Sequence, residues 1–178
     1  LEGADVSAIT FKHCILATGS RVARLPMAEG LPVWTSKEAL DIPSVPPRLL
    51  VIGGGYIGLE LGFVYAGLGS KVTVVELLEQ LLTGCDADLS QPVLKSAQKK
   101  FDAVMLGTKV TGMKHDGKLF HVNVEVGRAS KTLEFDQVLM AVGRKPNTEA
   151  IGLDVIGVAV DKGGFITTDK QKRTSVPH

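Results

Sequence analysis

Hydrophobic residues change their period several times along this chain, and each change marks an element. Leu49 to Ile52 form an unbroken apolar run, the pattern of a strand buried on both faces. From Ile57 the spacing becomes helical, with Ile57, Leu61, Val64, Tyr65 and Leu68 on one face. Gly58 and Gly62 share a helix face that can lie close to a sheet, and Gly69 is placed for the left-handed residue that ends a helix. Lys71 to Val75 alternate and branch like a second strand, which ends in Glu76.

Downstream, Asp86, Asp88 and Ser90 crowd a helix start, followed by apolar positions at Leu89, Val93 and Ala97. Pro92 fits the first turn if that helix starts near Ser90 and forces a kink if it starts at Asp86. Ala103 to Leu106 read as a third parallel strand. The texture then shortens to period two. Lys109 to His115, Lys118 to Val126 and Lys131 to Phe135 predict three antiparallel strands, with Asp116-Gly117 as a two-residue hairpin turn. Gln137 to Val142 return as a fourth parallel strand. The expected fold is therefore α/β: a Rossmann-like parallel sheet with helices, in which a three-stranded antiparallel meander replaces one crossover.

The flanks are less regular. Ile9 to Phe11 and His13 to Gly19 read as a strand or hairpin running into a Thr-Gly-Ser corner. Five of the eight prolines lie between residues 22 and 47, marking a connector. Within it, Thr35 or Ser36 would cap a short helix over the following KEAL. Val155 to Val160 alternate briefly, and the basic KQKR near the end reads as a solvated face.

Bulk properties narrow the function. At 178 residues, with 44% hydrophobic and 22% charged positions, the chain can bury one proper core. A net charge of +1 gives no electrostatic reason to expect nucleic acid or membrane binding. No apolar run approaches the roughly 18 residues of a membrane span, and no signal peptide is visible. Leu1 rather than Met opens the chain, which suggests an internal or processed start. Cys14 and Cys85 are too far apart in sequence for a redox or zinc motif; Cys14 reads as a buried small hydrophobe. Cys85, just before a helix start, is at most mildly activated. His13, His115, His121 and His178 share no metal-ligand spacing, and His115 and His121 flank a hairpin where exposure is expected.

The chemistry resides in the turn after the first strand. Gly53, Gly55 and Gly58 form G-x-G-x-x-G. The first allows a sharp turn, the second has no Cβ to hold a pyrophosphate off the backbone, and the third lets the helix lie on the strand. Phosphates would then meet the free N–H groups of a helix N-terminus. Glu76, 18 residues beyond Gly58, can accept from the adenosine ribose hydroxyls and would repel a 2′-phosphate. No basic residue occurs from Leu77 to Asp88 to hold such a phosphate, which favours NAD over NADP. Strand, glycines, helix, strand and terminal acid together make a specific signature.

GGGYIGLELG, VTVVE, AVGRKPNT and RTSVPH resemble the FAD-dependent pyridine nucleotide–disulfide oxidoreductases over nearly the whole chain. Within that family the likeness is greatest to the dihydrolipoamide dehydrogenase branch. The resemblance implies a remnant of an FAD domain and connector over 1–25, an NAD-binding domain over 26–147, and a connector returning to the FAD domain over 148–178. By the same resemblance, Gly53, Gly54, Gly55, Tyr56, Ile57, Gly58, Leu59 and Glu60 span the pyrophosphate and nicotinamide approach. Tyr56 would cover the nicotinamide, and Glu60 would face the flavin. Val110 would lie beside the adenine, and Gly143 and Arg144 near the nicotinamide end. Thr18, Gly19 and Ser20 would line FAD in the longer parent.

The family's CxxxxC redox pair, its first FAD glycine motif and its C-terminal His-Glu base do not occur here. The chain alone is thus expected to bind NAD and not to catalyse, with no residue serving as a metal ligand. The parent implied is a homodimeric flavoprotein that oxidises dihydrolipoamide through a disulfide and FAD, with NAD as acceptor. It would meet lipoyl-bearing proteins of 2-oxoacid dehydrogenase complexes in a bacterial cytoplasm or mitochondrial matrix. Mercuric reductase, NADH oxidase and soluble transhydrogenase share the same domain, and a stand-alone NAD(H)-binding module is the other alternative. Freed from the parent, Ile15, Leu16, Val158 and Ile166 are expected to expose apolar surface or to find each other.

Overall fold

The computed structural model describes residues 8–177 and divides into two compact units. The larger, Val22–Gly143, holds the parallel sheet, whose strands are β2 (Arg48–Ile52), β3 (Lys71–Val75), β4 (Ala103–Met105) and β8 (Gln137–Met140). Their order is β4-β3-β2-β8, and every pair is parallel. Three antiparallel strands, β5 (Thr108–His115), β6 (Phe120–Val126) and β7 (Ala129–Phe135), take the place of the last crossover helix. Helices α1 (Ser36–Leu40), α2 (Tyr56–Gly67) and α3 (Ala87–Lys100) complete the unit, with a 3-10 turn at Pro26–Ala28. The smaller unit, residues 8–21 with 144–177, contains β9 (Arg144–Pro146) and the first two residues of its pairing partner β1 (Ser20–Val22).

The sheet is buried on both faces, as its unbroken apolar run predicts. Leu49, Val51, Val72, Val74 and Leu139 point to the helices, among Leu61, Tyr65, Ala97 and Phe101. Leu50, Ile52, Val75, Val138 and Met140 point to the meander, among Val110, Met113, Phe120, Val122, Val124 and Phe135. Burying each such side chain is worth about 1.5–3 kcal/mol, so both layers are tied to the same four strands.

Local chemistry closes the elements. Thr35, not Ser36, caps α1: its Oγ1 accepts from the Lys37 N–H at 3.3 Å, and Glu38 reaches back to the Thr35 N–H at 2.7 Å. The Glu38 carboxyl is held below its usual range by its hydrogen bond with the Thr35 side chain. Helix α2 ends as Gly69 predicts, with φ +108°, its N–H donating to Ala66 O and the Ser70 N–H to Tyr65 O.

Several expectations are corrected. The buried stripe of α2 is Gly58, Leu59, Leu61, Gly62 and Tyr65, whereas Val64 and Leu68 are exposed. In α3, Leu89 is exposed while Ser90 is buried, its hydroxyl donating to Ala87 O at 3.1 Å. That helix starts at Ala87, so Pro92 lies beyond the first turn and leaves the Asp88 carbonyl without its helical N–H donor. Strand β8 ends at Met140, not Val142. The β5–β6 turn centres on Gly117-Lys118 rather than Asp116-Gly117. Asp116 Oδ1 takes the Lys118 and Leu119 N–H groups, both at 2.8 Å, and β6 begins only at Phe120. The His121 side chain is half-buried, 2.8 Å from Asp116 and 3.7 Å from Glu134.

In the smaller unit, residues 8–19 form no strand, because no strand pairs with them among the described residues. Cys14 is exposed rather than buried. Ile15 is 91% exposed, but Val158 is buried and Leu16 and Ile166 are half-buried. Residues 155–160 run mostly through turns, with one antiparallel bridge from Val160 to Ile166.

Arg48 and Asp136 lock the starts of β2 and β8 together. Asp136 Oδ2 accepts from both the backbone N–H and the Nε of Arg48 at 2.9 Å, and the Asp136 N–H returns to Arg48 O. The Arg48 hydrogen bond holds the Asp136 carboxyl below its usual range. A carboxyl depressed by folding stabilises the fold at neutral pH, and that contribution is lost as pH falls through the ordinary aspartate range toward the folded value. Because the pair is partly solvated, Asp136→Asn is expected to cost about 1 kcal/mol at neutral pH. The cost should shrink below about pH 4. Urea denaturation of both proteins across that range checks it; a pH-independent difference would refute the assignment.

Candidate functional site

The parallel sheet changes direction at β2. From β2 the chain steps through α2 to β3 on one side, while β8 returns on the other. The chain thus leaves β2 toward one side of the sheet and comes back on the other, and a crevice at such a switch point is where open α/β sheets take ligands. Gly53 follows β2 there and Gly143 follows β8, each with a positive φ that a side chain would strain.

The glycines of the loop do different things. A Cβ on Gly53 would run into the Ala141 carbonyl, and one on Gly58 would run into the Gly53 carbonyl and lie 3.1 Å from Val51 Cγ1. These two permit the turn and the close seat of α2 on β2. A Cβ on Gly55 would meet nothing within 4 Å. Gly55 is the N-cap of α2, and no side chain caps that helix, in contrast to α1. The first-turn N–H groups of α2 thus face an open approach, which is the physical requirement for seating an anion.

Glu76 stands beside this loop. Its carboxylate accepts from the Gly54 N–H at 2.6 Å and from the Leu78 N–H at 2.9 Å. Tyr56 and Glu60 are exposed along α2, and Ile57 is half-buried. The side chain of Leu59 belongs to the helix-side core, leaving only its backbone to the loop. Val110 is 8% exposed and forms part of the meander-side core.

In the smaller unit, Arg144 donates from Nε to Ser20 Oγ and from Nη2 to Ser20 O, both at 2.6 Å. Asn147 ties the same corner through Thr18 O at 3.1 Å and Gly19 O at 3.0 Å, where Gly19 has φ +73°. Thr18, Gly19, Ser20 and Arg144 are therefore one hydrogen-bonded corner rather than separate positions.

Leu81 and Leu82 escaped the sequence reading. Leu81 is fully buried, 2.5 Å from where a Cβ on Gly54 would stand. The Leu82 N–H donates to Gly54 O at 2.9 Å, with Leu82 itself at φ +53°. The hint in the sequence is a second apolar pair, five and six residues after Glu76. Among the described residues, no group of three or more His, Cys, Asp or Glu could hold a metal ion, and no helix is long and apolar enough to cross a membrane.

The whole chain, residues 1–178, matches the family model described as pyridine nucleotide-disulphide oxidoreductase. It is 43% identical over 172 residues to the dihydrolipoyl dehydrogenase of Haemophilus influenzae, covering 96% of this chain and 36% of that protein. To the dihydrolipoyl dehydrogenase of Haloferax volcanii it is 40% identical over 181 residues, covering 99% and 38%. Among solved structures, LpdA from Mycobacterium tuberculosis superposes with a TM-score of 0.77 at 29% identity, covering 89% of this chain and 34% of that one. The HOCl-induced flavoprotein disulfide reductase RclA from Escherichia coli gives 0.75 at 28%, covering 89% and 36%. The chain thus spans little more than a third of the length of these relatives.

Proposed function

The chain belongs to the pyridine nucleotide-disulphide oxidoreductase family, and from that membership we propose that residues 26–147 are the NAD(H)-binding domain of a dihydrolipoyl dehydrogenase. The observation that carries this reading is the cradle after β2. Gly55 opens an uncapped helix N-terminus to an anion, and Glu76 stands at the end of β3 where a ribose would be met. NAD, when bound, supplies the hydride acceptor. The residues of the larger unit that would hold it are Gly53 to Glu60, Glu76 and Gly143, with Tyr56 over the nicotinamide and Val110 toward the adenine.

The full-length protein, in this proposal, is a homodimer that oxidises dihydrolipoamide on lipoyl-bearing proteins through a disulfide and FAD, with Thr18, Gly19 and Ser20 contributing to the FAD side. The present chain lacks that disulfide and is inactive alone. Identity of 40–43% to dihydrolipoyl dehydrogenases, against 28% to RclA, favours this branch over the other flavoprotein reductases.

Titrating the chain with NADH and NADPH, read by nicotinamide fluorescence, tests the proposal. A carboxylate facing a 2′-phosphate, with no nearby cation, is worth about 1–3 kcal/mol. NADH should therefore bind roughly ten-fold or more tightly than NADPH, and Glu76→Ala should narrow the gap. Equal affinities in the unmodified chain would sink the reading.

A further inference from the structure

The segment after β3 does more than present Glu76. It is bonded on two sides. Toward the glycine loop, Glu76 takes the Gly54 N–H, the Leu82 N–H donates to Gly54 O, and Leu81 lies against Gly54. Both backbone polar groups of Gly54 are thereby satisfied from one segment. Away from the loop, the Thr108 N–H donates to Glu76 O at 2.9 Å and the Gly107 N–H to Leu78 O at 3.0 Å. The exposed Glu79 side chain lies over that corner, its carboxylate standing where a Cβ on Gly107 would be. The segment spans from the β4–β5 corner to the glycine loop, fixed at both ends.

We propose that Glu76–Leu82 is a clamp that sets the conformation of the dinucleotide loop, with Leu81 and Leu82 as positioning residues for the cofactor. This rests on the NAD(H)-binding reading. Gly54 is an unspecified position of the G-x-G-x-x-G pattern, yet its backbone is held on both sides. Gly55, the neighbour where an added Cβ would meet only open space, inherits its orientation from that grip. Preorganised donors bind an anion without paying to order the loop first, so loosening the clamp weakens every pyrophosphate ligand alike. The ribose contact of Glu76, in contrast, discriminates between NADH and NADPH.

That difference supplies the test. Leu81→Ala, Gly54→Ala and the double variant are titrated with NADH and NADPH, with melting curves to confirm folding; Leu81→Val serves if Leu81→Ala does not fold. The expected result is a several-fold loss of affinity for both nucleotides in each single variant, with their ratio unchanged in Leu81→Ala, which leaves Glu76 in place. Leu81→Ala removes the nearest atom that a Gly54 methyl would meet and leaves Glu76 Cβ and Cγ at 3.1 and 3.2 Å, so the double variant should lose less affinity than the sum of the two single variants, a non-additive cycle. Single variants that fold and bind both nucleotides with unchanged affinity would overturn the clamp and leave the NAD(H) reading standing. So would a loss confined to NADH, or strictly additive losses. A parent chain that binds neither nucleotide would overturn both.

Discussion

Gly58→Ala should weaken NADH binding by roughly a hundred-fold. The methyl group would be driven into the Gly53 carbonyl, with Val51 Cγ1 at 3.1 Å and Ala141 Cβ at 3.3 Å. None of these atoms is the free end of a long side chain: one is backbone, one belongs to a fully buried strand residue, and one is held beside the end of β8. Relief requires α2 to lift from β2, which moves the first-turn N–H groups away from their aim. Overpacking at so tight a contact costs about 3 kcal/mol or more, and the same displacement should lower NADH affinity by roughly a hundred-fold. Gly55→Ala is the control. It meets open space at φ −77°, so its melting temperature should hold while the methyl group obstructs the anion. Nucleotide titration beside thermal melts separates the two. A Gly58→Ala protein with normal affinity would remove the loop from consideration as the binding site.

Phe101→Ala should produce the largest loss of stability, about 3–5 kcal/mol. Phe101 follows α3 and is 6% exposed. Its ring lies 4.6 Å from that of Phe63, and its Cζ sits 3.1 Å from where a Cβ on Gly62 would be. The ring thus fills the space that the absent side chain of Gly62 leaves under α2. Removing it opens a cavity between α2, α3 and β3 that the glycine cannot fill. Urea denaturation gives the value; a loss below about 1 kcal/mol would show that the neighbours collapse into the gap.

What could be read from the sequence was set by range. The stretch from Leu49 to Glu76 is legible because every signal in it is local: an apolar run, glycine spacing, a helical period, a terminal acid. The meander is legible because its period changes to two. The misreadings have physical causes. Helix α2 is apolar around most of its surface, so spacing places Leu61 and Tyr65 in the core and Ile57 against it but cannot tell that Val64 and Leu68 face outward; Gly58 and Gly62 are the better guide, since a close approach identifies the buried side. In α3 the shift of one position follows from Ser90, a polar residue buried by bonding its own helix. Residues 8–19 have strand-like composition, but a strand exists only with a partner. Likewise, nothing local marks Leu81 and Leu82: their role arises from where β3 delivers them beside a loop over twenty residues earlier in the chain.

Replacing a crossover helix by the meander also alters the chain entropy of closing the sheet. Strand β8 must find β2 across a long separation, with Asp136 meeting Arg48 88 residues away. The meander spends much of that length in pairings between sequence neighbours, β5 with β6 and β6 with β7. Once those hairpins form, residues 108–135 are no longer a flexible loop but a compact body with β8 at its end. Closure entropy grows with the length of flexible chain, so the remaining search is that of a short tether. The layer that covers one face of the sheet is thus also the device that brings its last strand home.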